Sequence, residues 1–167
     1  MDIDKLKKHA DVVANLVKEI EELDPNAIIL PGIPRSLQLD LYSCGVQSVY
    51  AILRYYQKKV TLPKLERELQ TDFTGTEAAD IKRVLKRYGL RSQIKRAAKL
   101  RDIRKAIDSG CPVLVTMYEG AHWAVVYGYS ESHVYVVDSW VLSHVWCRVA
   151  KEKFREQLDK WMMFVKK

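Results

Sequence analysis

Residues 38–45 read Gln38-Leu39-Asp40-Leu41-Tyr42-Ser43-Cys44-Gly45, and the run from Gly45 to Tyr56 carries Val46, Val49, Tyr50, Ile52, Leu53 and Tyr56. Apolar on most sides at helical spacing, that run predicts a helix buried nearly all round, with Cys44 at its N-terminus. Unpaired backbone N–H groups and the positive end of the helix dipole favour a thiolate there. Gly45, lacking a side chain, leaves room for a substrate to approach the sulfur and for a tight turn into the helix. The competing reading is a buried cysteine capping a core helix, because free cysteine is among the most buried residue types. Gln38 shifts the balance. Its side-chain amide N–H can join the backbone N–H of the nucleophile to receive the oxyanion of a tetrahedral intermediate.

Upstream, Ile3, Leu6, Ala10, Val13, Leu16, Val17, Ile20 and Leu23 recur every three or four residues, one stripe of an amphipathic helix that Asp24-Pro25 ends. The stretch 27–36, with Pro31, Gly32 and Pro34, predicts an extended lead into the site. Downstream, helices are predicted over 62–69, over 77–88 with Thr76 as N-cap and Gly89 closing it, and from about Leu100 to Asp108. Beyond Gly110 the texture changes. PVLVTM (112–117), HWAVVYGY (122–129) and HVYVVDS (133–139) are short runs rich in Val and Tyr, hence strands, followed by a helix over 151–158 and a strand over 161–165. Helices gathered first and antiparallel strands second predict an α+β fold, N-terminal helices packed on an antiparallel sheet, rather than alternating βαβ units.

His122 opens one of these strands and Asp138 ends the next. Alone, each has an ordinary reading, a core histidine and a turn-forming aspartate. Together, an imidazole can take a thiol proton and return it to a leaving amine when a carboxylate holds the ring. With these residues in view, Gln38 to Gly45 resembles the nucleophile motif of the C39 peptidase family, papain-like domains that process leader peptides. GAHWAVVYGYSESHVYVVDSW (120–140) is similar to that family's histidine strand, turn and aspartate strand, and EKFREQLDKWMMFV (152–165) to its closing helix and strand. The resemblance runs from about Leu37 to Val165. It implies a papain-like fold and peptide-bond hydrolysis, with Cys44 as nucleophile, His122 as base, Asp138 as its orienter and Gln38 as oxyanion donor. It also implies small residues, such as a Gly-Gly pair in a leader peptide, before the cut. Two positions depart from the pattern: Ser43 where an aspartate commonly precedes the cysteine, and Ser139 where a proline commonly follows the aspartate. Two alternatives stand beside hydrolysis. One is transglutaminase- or acyltransferase-like transfer of the acyl group to an amine or another acceptor. The other is a non-catalytic C39-like domain that binds a peptide, against which stands the presence of all four residues.

At 167 residues, 48% of them hydrophobic, the chain suits a single domain over 1–167 with an extra N-terminal helix at about 1–30. No apolar run approaches the roughly 20 residues of a membrane-spanning helix. The N-terminus sets acids and lysines where a secretory signal would be apolar, so a cytoplasmic protein is expected. Three cysteines at irregular spacing, without a CxxC pair, argue against a disulfide framework. The net charge of +7 comes from basic residues spread from Lys82 to Arg104 among acids, a solvated face rather than a nucleic-acid module. His9, His133 and His144 have no zinc-site spacing to Cys147, and Gly75, Gly89 and Gly110 are isolated, so neither metal nor cofactor is expected. The expected partners are a peptide or protein substrate and, for the apolar stripe of the first helix, either the domain itself or another protein.

Overall fold

The computed structural model describes residues 24–34, 37, 38, 40–140 and 146–167. The helix read over residues 3–23, with His9, and the loop histidine His144 lie outside the described residues.

The helix predicted after the 38–45 motif is α1, Cys44–Tyr55, with Cys44 itself as the first helical residue. It is buried from Cys44 to Val49 and again from Ala51 to Leu53, as its apolar pattern requires. Three amphipathic helices follow. α2 (Leu62–Leu69) buries Leu65 and Leu69, α3 (Ala78–Arg87) buries Ile81, Val84 and Leu85, and α4 (Leu100–Asp108) buries Ile103, Ala106 and Ile107. Each set recurs at three- and four-residue steps, so one face meets the core and the other keeps its charges in water. Among the described residues, no helix is long and apolar enough to cross a membrane.

The predicted strands form as β3 (Val113–Met117), β4 (His122–Tyr129) and β5 (His133–Val137), joined by three strands less visible in the sequence. These are β1 (Ile28–Ile29), β2 (Arg91–Arg96) and β6 (Trp146–Ala150). After β6 come α5 (Lys151–Gln157) and β7 (Leu158–Lys166). The sheet runs β2-β7-β3-β4-β5-β6 with every pairing antiparallel. β2, Arg-Ser-Gln-Ile-Lys-Arg, is mostly exposed and lies at the sheet edge, where basic side chains discourage further pairing and erase the apolar alternation that marks a strand. β7 starts three residues earlier than its apolar run, because a register shift beyond Val115 lets Met117 pair with Leu158.

β4 is buried along all eight residues and packs against both α1 and α4. β3 begins opposite Val126, and β1 occupies the same edge of β4 beyond that point, Ile28 pairing with Tyr129 and Ile29 with Gly128. A Cβ on Gly128 would stand 2.8 Å from the Ile28 carbonyl oxygen, so this short strand can close only over a glycine.

Two expectations about α1 and α3 are corrected. The N-cap of α3 is Glu77, extended and without a side-chain bond; the Thr76 hydroxyl pairs with Thr71 Oγ1 at 2.7 Å instead. The space left by Gly45 is taken by Thr76 rather than kept for substrate: a Cβ at Gly45 would lie 2.5 Å from Thr76 Cβ and 2.6 Å from its Oγ1. Gly45→Ala should therefore cost about 1–3 kcal/mol by overpacking, read from denaturant unfolding. In a Thr76→Gly background the same alanine should cost far less. Equal cost in both backgrounds would mean that Thr76 is not what Gly45 accommodates.

Candidate active site

Cys44 owes its place to a tight turn before α1. Asp40 Oδ1 accepts the backbone N–H of Tyr42 at 2.9 Å and of Ser43 at 2.7 Å, an Asx-type turn that aims the chain into the helix. Burial pushes the Asp40 carboxyl up, but the bonds from Tyr42 and Ser43 outweigh it and hold the group below the usual carboxylate range. Asp40 was not among the residues singled out from the sequence; the signal was an Asp two and three residues ahead of the backbone groups it caps.

Gln38 is buried just ahead of that turn. Its Nε2 donates to the Asp40 carbonyl at 2.9 Å, its Oε1 accepts from Ser139 Oγ at 2.7 Å, and its backbone N–H donates to the Ser139 carbonyl at 2.9 Å. The segment before the nucleophile is thus pinned to the segment after Asp138.

His122 opens β4, and its Nε2 lies 2.7 Å from Asp138 Oδ1, which also accepts the Trp140 N–H at 2.9 Å. Because Nε2 is engaged by the carboxylate, Nδ1 is the ring nitrogen left for a proton transfer. Burial alone would lower the imidazole's pKa. The hydrogen bond to Asp138 and the charge of that carboxylate, with a smaller contribution from Cys44, overcome burial and push it up to about 9. Of the four residues predicted from sequence, His122 is bonded to Asp138, Gln38 is tied to the segments around it through Asp40 and Ser139, and Cys44 is the first residue of α1.

Two hollows flank this line. One, of about 360 Å³, is lined by Cys44, Phe73, Thr76, Trp123 and Trp161, and the other, of about 440 Å³, by Gln38, Tyr118, His122, Asp138 and Trp140. Leu41 and Ala121 line both and stand between them. Leu41, Phe73 and Tyr118 are exposed despite being large and apolar. Trp123 is a wall residue: its Nε1 donates to the Thr76 carbonyl at 3.0 Å and its ring meets Trp161 edge to face at 5.3 Å.

The loop between β3 and β4 carries Tyr118 and Glu119 at φ 57° and 59°, a left-handed conformation that costs non-glycine residues energy, followed by Gly120 at 85°. Asp159 on β7 holds it down, accepting the N–H of Glu119 at 3.0 Å and of Gly120 at 2.6 Å. No local motif in the sequence announces Asp159, since its partners lie about 40 residues away. Among the described residues, no cluster of His, Cys, Asp and Glu could hold a metal ion.

Residues 33–167 match the Peptidase C39 family. Among solved structures, the chain is similar to a double glycine motif protease from an AMS/PCAT transporter, solved in complex with the leader peptide. That match has 19% identity and a TM-score of 0.69 over 79% of this chain and 89% of that one. The peptidase domain of Streptococcus ComA, a bi-functional ABC transporter involved in quorum sensing, matches at 19% identity and TM-score 0.67, covering 80% and 97%. A putative C39-like peptidase from Bacillus anthracis matches at 18% and 0.67, covering 84% and 98%. At these identities the likeness is one of fold. No curated protein sequence matches the chain.

Two outcomes follow from the geometry. The ring of His122, followed by NMR, should titrate near pH 9, and Asp138→Asn should bring its midpoint down towards or below the ordinary 6.5. Since folding raises this pKa, the associated stability is complete below pH 6.5 and is lost as pH rises through about 9. The melting penalty of Asp138→Asn should accordingly be larger at about pH 6 than at about pH 10. Asp159→Ala should raise KM for peptides by releasing the loop, and Glu119→Gly, which removes strain from the same turn, should offset part of that rise.

Proposed function

The chain belongs to the Peptidase C39 family, and from that premise we propose that it hydrolyses a peptide bond after small residues, a Gly-Gly pair in a leader-type peptide, through Cys44, His122, Asp138 and Gln38. The observation that carries this reading is the buried His122–Asp138 bond of 2.7 Å, taken with a buried helix that begins with Cys44. In the first half-reaction the Cys44 sulfur forms a bond to the scissile carbonyl carbon while His122 carries the thiol proton. The tetrahedral oxyanion is received by the Cys44 backbone N–H, which has no acceptor within its helix, and by a Gln38 Nε2 hydrogen. The C–N bond then breaks, and His122 gives its proton to the leaving amine. Water, deprotonated by His122, attacks the thioester, which releases the acid and restores the thiol. Asp138 keeps the ring oriented through both halves and favours its charged form.

The preference for small residues rests on the position of Leu41 and Ala121 between the two hollows. A peptide lying across the nucleophile from one hollow to the other meets these two side chains, and glycine brings no side chain against them. The resemblance to a protease crystallised with its leader peptide favours the same substrate class.

The test is cleavage of peptides with Gly-Gly, Ala-Ala or Leu-Leu before the scissile bond, products weighed by mass spectrometry with and without added amine. Cleavage after Gly-Gly that vanishes in Cys44→Ala, with a free acid as product, is expected. An amide formed with the added amine in place of the acid would make the chain an acyltransferase, and no cleavage by the wild type would end the peptidase reading. Gln38→Ala should lower kcat about 10²- to 10³-fold with little change in KM, as for loss of one oxyanion donor.

A further inference from the structure

In the motif that residues 120–140 resemble, a proline commonly follows the aspartate; this chain has Ser139. Ser139 is 3% exposed and Gln38 1% exposed, and two bonds join them. The first, from the Gln38 N–H to the Ser139 carbonyl, needs no particular side chain, because every residue keeps its carbonyl. The second, from Ser139 Oγ to Gln38 Oε1 at 2.7 Å, needs a hydroxyl.

The partners decide which way round the amide lies. The Asp40 carbonyl can only accept, so the amide atom 2.9 Å from it is the nitrogen. The other amide atom is then the oxygen, which requires a donor, and Ser139 Oγ supplies one. One Nε2 hydrogen goes to Asp40, the amide carries a second, and Gln38 lines a cleft with His122 and Asp138. Without the hydroxyl, Oε1 becomes a buried acceptor that has lost this donor, and the amide is held at one end only.

We propose that Ser139 is a positioning residue for the reaction: its hydroxyl locks the Gln38 amide so that an Nε2 hydrogen faces the developing oxyanion. This rests on the reading of Gln38 as oxyanion donor.

The experiment measures kcat and KM on a Gly-Gly peptide for Ser139→Ala, Ser139→Thr, Gln38→Ala and the Gln38→Ala/Ser139→Ala pair, with iodoacetamide alkylation of Cys44 in parallel. Ser139→Ala should lower kcat about ten-fold, the worth of one buried hydrogen bond, with KM nearly unchanged. Ser139→Thr, which keeps the hydroxyl, should restore most of it. Alkylation needs no oxyanion hole and should keep its wild-type rate, which a general loosening of the site would not allow. In the Gln38→Ala background Ser139→Ala should cost nothing further. Ser139→Pro serves as the second variant if alanine impairs folding, with the same fall in kcat expected. Wild-type kcat in the folded Ser139 variant while Gln38→Ala is slow, or an equal loss in both backgrounds, overturns the role of Ser139. Wild-type turnover in Gln38→Ala would instead remove Gln38 from the oxyanion hole, and this proposal with it.

Discussion

Everything at the site depends on the packing of α1 against β4. The helix is buried along most of its length and the strand along all of it, so each can satisfy its apolar surface only against the other and the core around them. Close-packed interiors tolerate little sliding. The N-terminus of the helix and the first residue of the strand are therefore held in fixed relation, and these are Cys44 and His122. Gly45 and Thr76 sharpen the fit at that end, where helix and loop approach too closely for a Cβ.

Around this apolar contact lies a set of buried and half-buried polar groups joined by hydrogen bonds. Gln38, Asp40 and Ser139 exchange bonds with one another or with the backbone of the turn into α1, and Asp138 bonds His122 and the Trp140 N–H. Burying amides and carboxylates is costly unless such bonds are made, and once made they define a single arrangement. Catalysis of the proposed kind asks for that property, since donors aimed at a transient charge help only if they need no rearrangement when it forms.

Beside this rigid centre the rims are built differently. Leu41, Phe73 and Tyr118 are exposed apolar side chains around the two hollows, and the loop that presents Tyr118 is strained and held by Asp159. Apolar groups in water next to a polar, preorganised centre suit a ligand that brings apolar surface of its own. At the edge of the sheet, the basic strand β2 keeps it from pairing further.

The sequence by itself determined the elements with strong periodicity and the four residues of the proposed chemistry. The apolar helix after Cys44 and the Val-rich runs at 113–117, 122–129 and 133–137 have patterns that only burial explains, and the order of Gln38, Cys44, His122 and Asp138 matched a recognisable motif. What it did not determine were features whose cause lies across the fold. β2 and β6 take their strand conformation from pairing with β7 and β5, while their own residues carry weak or no alternation. Thr76 was expected to cap a helix, but the close approach of Gly45 and a bond to Thr71 claimed it. Ser139 and Asp159 are ordinary turn and strand residues along the chain, and they acquire their roles from hydrogen-bond partners about 100 and 40 residues away that only the packed sheet brings to them. Periodicity records what a segment does with water and is written locally, whereas a hydrogen bond between distant segments exists only once the core has set their separation.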